Sequence, residues 1–205
     1  MKMNLPNKLT FLRIFLTIAI LVLIGVNWSQ FNISWPVYLL GGKVVIRLNY
    51  IISAVIFIIA SITDMLDGKI ARKRKQVTDF GKTMDAIADK VLVNSILVVL
   101  AYNHDIALIV PIVIIIRDTV VDSIKMISAG KGKVVAASLA GKIKTAMMMV
   151  GLTLVLIENI PMEFFGIALD QFIVLIATVL SIYSGIEYFL VNKDFIFNDD
   201  KVEKL

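Results

Sequence analysis

Six apolar runs, at 9–26, 50–63, 91–102, 106–116, 146–157 and 172–190, leave this chain of 205 residues little with which to face water. A helix needs about 20 apolar residues to cross a bilayer, and each shorter run here has a flank that can continue the same helix. The hydrophobic share of 59% agrees, being well above that of a soluble domain. The expectation is an all-α integral membrane protein with six transmembrane helices, built as a single transmembrane domain over 1–205. The first run follows Lys2 and Lys8 as a signal peptide's would, but it continues into GVNWSQ without a cleavage pattern and is read as a retained helix. The absence of cysteine excludes disulfides and thiolate metal sites.

The net charge of +5 is informative by position. Lys2, Lys8 and Arg13 open the first helix, seven basic residues lie between helices 2 and 3, five between helices 4 and 5, and three in the tail. The intervening connections carry only Lys43 and Arg47, and Arg117 lies within helix 4. By the positive-inside rule both termini are cytoplasmic, in a multi-pass protein of the cell membrane. The basic residues are accounted for by topology, and no nucleic-acid partner is expected. Trp28, Trp35 and Tyr38 suit an interfacial belt on the outer side. There is no internal repeat, low-complexity tract or second domain.

Against this background, residues 64–89 hold five aspartates and six Lys or Arg. Asp64, Asp67, Gly68 and Ala71 follow i, i+3, i+4, i+7 spacing at the end of helix 2, and Gly81, Asp85 and Asp89 recur every four residues as helix 3 begins. A short connection folds the two stripes toward each other. Four converging carboxylates repel, and each is costly near the membrane. Something positive must sit among them, and hard oxygen donors without cysteine favour Mg²⁺ or Mn²⁺ over zinc. Two divalent ions match four negative charges, and such pairs serve phosphoryl transfer. The glycines permit close approach of backbone or ligand. Interfacial ion pairing explains any one of these aspartates as well, but not the set: D-x2-D-G-x2-A-R-x8-G-x3-D-x3-D fixes eight positions, a coincidence on the order of 10⁻¹⁰ per starting point.

That signature, across Asp64, Asp67, Gly68, Ala71, Arg72, Gly81, Asp85 and Asp89, resembles the CDP-alcohol phosphotransferases at all eight positions. The resemblance implies six transmembrane helices, a homodimer, and an active site open to the cytoplasm. It also implies a metal pair on Asp64, Asp67 and Asp85, with Asp89 as a further ligand or the base. Gly68, Ala71 and Gly81 then line the cytidine pocket, and Arg72 meets the pyrophosphate. NLPNKLTFLRI at 4–14, GKIKT at 141–145 and SGIEYF at 184–189 look like the branch that joins CDP-diacylglycerol to glycerol 3-phosphate. That branch commonly reads R-E-F in helix 4, where this chain has Arg117-Asp118-Thr119. Inositol phosphate, serine or phosphatidylglycerol are the alternative acceptors. A small transporter is the alternative class, but it predicts acidic residues near the midplane in related halves.

Three weaker features complete the candidate set. Arg117, Lys142 and Lys144 form either helix-to-helix ion pairs and positive flanks or a cup for an anionic acceptor. Asn7 and Thr10 cap helix 1 or touch the nucleotide. His104 is a turn residue.

Overall fold

The structure, a computed structural model, describes residues 5–42, 44–73, 79–130 and 138–197. Six long helices carry the fold: α1 Leu5–Gly25, α2 Leu48–Lys73, α3 Asp79–Tyr102, α4 Ile109–Gly130, α5 Leu139–Leu156 and α6 Leu169–Phe197. α1, α5 and α6 are long and apolar enough to cross a membrane, and α2 adds a shorter apolar stretch over Leu48–Asp64. α3 and α4 carry charge inside the helix. Helix 4 does not end with its apolar run: it continues to Gly130, so Lys125 is helical and not a loop residue. Short 3-10 turns at Trp28–Phe31 and Met162–Phe165 join the helices. His104 takes a turn conformation with φ of 64°.

The all-α expectation is corrected between α1 and α2. There β1 Val37–Leu40 pairs antiparallel with β2 Val44–Arg47, Leu40 opposite Val44 and Val37 opposite Arg47. Gly41 and Gly42 adopt φ of 60° and 69°, left-handed values that glycine takes without strain and that the turn requires. Residues with branched side chains on either side of that turn favour the extended backbone.

The main helix contacts close a ring in the order α1, α2, α5, α6, α4, α3. One core fills it, with Ile20 and Ile24 of α1, Phe57 of α2, Leu92 and Ile96 of α3, Ile114 of α4, Leu152 of α5 and Ala177 of α6 all buried. α5 packs tightly on α6 at Gly151, where an added Cβ would stand 2.8 Å from Val174 Cγ2. The outward faces stay apolar: Phe15, Ile18, Val55, Ile59, Leu175 and Val179 are exposed. An apolar exterior around an apolar core is the pattern of helices solvated by lipid.

One end of the ring is tied by Arg47 at the close of the hairpin. Its guanidinium donates to Glu158 Oε1 at 2.5 Å and to Asp105 Oδ1 at 2.7 Å, and lies 3.4 Å over the Tyr50 ring. Tyr50 donates to Asp105 Oδ2, and Asn103 donates to Tyr50 and to the Ile24 carbonyl. Burial opposes the Arg47 charge, but the hydrogen bonds to Glu158 and Asp105 more than offset it and raise its pKa. The three connections α1–α2, α3–α4 and α5–α6 thus meet at one end. The C-terminal end of α2 and the N-terminal end of α3, which bear the motif, lie at the other.

Candidate active site

The motif aspartates come from two antiparallel helices that α1 braces. Asp64 sits in the C-terminal half of α2, and Asp85 and Asp89 lie in the first half of α3, one turn apart. Between α2 and α3 the structure places a residue that the sequence reading counted only as a positive flank. Arg13 of α1 is fully buried, with NH1 2.5 Å from Asp64 Oδ1 and 3.0 Å from Asp85 Oδ1. The two carboxylates are part-exposed, at 30% and 43% of their side chains. Asp89 lies within electrostatic range of Asp64, Arg13, Asp85 and Lys144. The positive charge required among the carboxylates is supplied in part by the protein itself.

The side chains of Asp67, Ala71 and Arg72, and the surroundings of Gly68, lie outside the described residues, although their backbone continues α2. Among the described residues no three acidic or histidine side chains are gathered closely enough to enclose a metal ion. The donor set nonetheless fits one: two hard carboxylate oxygens from different helices already converge on a single cationic nitrogen. Asp64, Asp85 and Asp89 against Arg13 leave two negative charges, one divalent ion's worth, and Asp67 adds a third. Gly81 opens α3 partly exposed, and Thr10 is buried on α1 one turn before Arg13. Asn7 lies partly buried in the first turns of α1, so neither Asn7 nor Thr10 is the residue preceding that helix.

A second polar cluster adjoins the first. Arg117 of α4 donates through NH1 to Asp118 Oδ1 at 2.9 Å and through NH2 to Ser184 Oγ of α6 at 2.8 Å. Lys144 of α5, only 6% exposed, donates to the same Asp118 oxygen at 3.1 Å. The sequence SGIEYF explains this approach: Gly185 lies flat under Arg117, and a Cβ there would stand 2.9 Å from Arg117 Cγ. Ser138 caps α5 by accepting from the Gly141 amide, which fixes the turn that delivers Lys144. Lys142 does not join this cluster. Two residues along a helix is about 200° of rotation, and Lys142 is exposed. Asp122, one turn on from Asp118, pairs with Lys90 of α3 and approaches Lys125.

The site is therefore a polar interior that begins at Arg13 and the motif aspartates and ends at Arg117, Lys144 and Ser184. It can hold cations at one side and an anion at the other, within an apolar shell. The CDP-alcohol phosphatidyltransferase family model matches residues 3–183. The chain belongs to the CDP-alcohol phosphatidyltransferase family. A Bacillus subtilis strain 168 protein named CDP-diacylglycerol–glycerol-3-phosphate 3-phosphatidyltransferase is 36% identical over 191 residues, covering 92% of this chain and 95% of that one. Proteins of the same name from Mycoplasma genitalium and Haemophilus influenzae are 33% and 35% identical, over 91% and 94% of this chain and 83% and 95% of theirs. Among solved structures, Mycobacterium tuberculosis phosphatidylinositol phosphate synthase in apo form superposes with a TM-score of 0.60. It covers 94% of this chain and 93% of its own, and at 15% identity it speaks for the fold alone.

Proposed function

We propose that this family member is a phosphatidylglycerophosphate synthase, which transfers the phosphatidyl group of CDP-diacylglycerol to glycerol 3-phosphate and releases CMP. The observation that carries the proposal is the convergence of Asp64 and Asp85 on one cation position beside the part-buried cluster in which Arg117 and Lys144 share Asp118. The relatives' shared name supports the acceptor.

The aspartates, with Asp67, hold divalent metal, Mg²⁺ or Mn²⁺ and two ions in all. Metal held by these carboxylates would supply positive charge to the pyrophosphate, which would ease departure of CMP. Gly68, Ala71 and Gly81 line the cytidine pocket with Asn7 and Thr10 near its α1 side, and Arg72 offers its planar fork to the pyrophosphate. Arg117 and Lys144 receive the acceptor phosphate, which takes the place that Asp118 holds in their hydrogen bonds. Lys142, on the exposed face, contributes at longer range. Asp89 takes the proton of the acceptor hydroxyl. That oxygen attacks the lipid-side phosphorus, the new P–O bond forms as the bond to CMP breaks, and phosphatidylglycerol phosphate stays in the bilayer.

The charge map supports six spans, cytoplasmic termini and a cytoplasmic active site in the cell membrane. A homodimer is the assembly the resemblance implies. Purified protein given CDP-diacylglycerol with glycerol 3-phosphate, inositol phosphate, serine or phosphatidylglycerol, and the lipid product identified, tests the proposal. Preferential use of any of the last three overturns the acceptor assignment.

A further inference from the structure

The buried stripe of α1 runs Thr10, Arg13, Thr17, Ile20, Ile24, polar in its first half and apolar in its second. Arg13 is the one large charged side chain in it, with no exposed surface at all. An arginine is not buried so completely among helices unless carboxylates face it. Here a single nitrogen bridges Asp64 of α2 and Asp85 of α3, so three helices meet through one guanidinium. Both contacted oxygens belong to residues that the motif assigns to metal.

We infer that Arg13 is a positioning residue, an internal counter-ion that holds Asp64 and Asp85 together when metal is absent and competes with the divalent ion for their oxygens. The inference rests on the metal-binding role proposed for those aspartates. Its two consequences have opposite signs. In metal-free protein Arg13 stabilises the junction of α1, α2 and α3, because three carboxylates left without a cation repel one another. During metal binding it opposes the incoming ion, both by like charge and because a hydrogen bond to a carboxylate must be given up. Replacing Arg13 therefore destabilises the metal-free state and tightens metal binding. A purely structural arginine predicts the first effect without the second, and an arginine that helps to bind metal predicts the second with reversed sign.

The test uses full-length protein in detergent, with Mn²⁺ binding followed by the electron paramagnetic resonance signal of free Mn²⁺ and thermal unfolding measured in chelator. R13Q should unfold several degrees lower than wild type in chelator and bind Mn²⁺ roughly tenfold or more tightly, the size of one charge-assisted hydrogen bond. Mn²⁺ should then raise the R13Q midpoint more than that of wild type. Wild-type binding with unchanged or weaker affinity in R13Q overturns this inference and leaves the metal reading intact. No Mn²⁺ binding by wild type overturns both. If R13Q does not fold, R13Q/D85N decides: removing one carboxylate with the guanidinium should restore a folded metal-free protein, and failure to restore it overturns the counter-ion role.

Discussion

Lys144→Ala is the sharpest perturbation of the proposed acceptor pocket. The Lys144 ammonium is nearly inaccessible, and its one described hydrogen bond runs to Asp118 Oδ1 at 3.1 Å, an oxygen that Arg117 also binds. Truncation therefore does not leave Asp118 bare, because Arg117 NH1 remains at 2.9 Å. The cost to folding is moderated by this, whereas the acceptor phosphate loses one of two cationic partners. A charged hydrogen bond contributes about 1.5 to 3 kcal/mol, so the glycerol 3-phosphate KM should rise roughly 10- to 150-fold. The KM for CDP-diacylglycerol should change by less than about threefold, since the proposed nucleotide pocket lies on the motif side. Steady-state CMP release with each substrate varied in turn, in detergent–lipid micelles, gives both constants. Equal increases in the two KM values, or an unchanged value for glycerol 3-phosphate, would refute the assignment of the α4–α5 cluster to the acceptor.

Asp89→Asn should still bind Mn²⁺ but lose roughly 10² to 10⁴ in transfer rate, as expected for a missing general base, and loss of metal binding in the same variant would make it a ligand instead. Gly185→Ala should raise the glycerol 3-phosphate KM with little change for the nucleotide, because the new Cβ presses on Arg117 Cγ; kinetics like those of the wild type would show that Arg117 has room to shift. Arg47→Ala should lower the thermal stability by about 1 to 3 kcal/mol, since the part-buried Asp105 and Glu158 lose their cation, while the catalytic constants at permissive temperature stay near wild type. A reporter inserted at Gln76 or fused after Leu205 should report cytoplasm and one in Asn103-His104-Asp105 the outside; a cytoplasmic signal from that loop contradicts the topology.

The approach of Asp64 to Asp85 is legible in the sequence because a helix turns the spacings i, i+3 and i+4 into a shared face, and a short connection brings two such faces together. Arg13 was equally present in the sequence, at i+3 from Thr10 and four residues before Thr17, but its position at the mouth of an apolar run made it look like a topological charge. Only the fold shows that its face turns inward toward Asp64 and Asp85. The separation of Lys142 from Lys144 follows from helix geometry alone, whereas the pairing of Lys144 with Asp118 joins residues 26 apart on different helices. The hairpin has a local signal in PVYLLGGKVVIR, where branched residues flank Gly-Gly, but an apolar segment of that length next to apolar helices is also compatible with a helical flank. Arg47 and Glu158 are separated by 111 residues and meet only through tertiary packing, which a single sequence does not encode in any periodicity.

Release of CMP from CDP-diacylglycerol on addition of glycerol 3-phosphate, measured for wild type, Asp64→Asn and Asp85→Asn with Mg²⁺ or Mn²⁺ and again in excess chelator, tests the central claim most directly. Asn keeps the size of Asp and loses the charge that holds a cation. The account predicts rapid, acceptor-dependent release by wild type with metal, and none above background in chelator or in either variant. Full turnover in chelator, or near-wild-type release by Asp85→Asn, would contradict it.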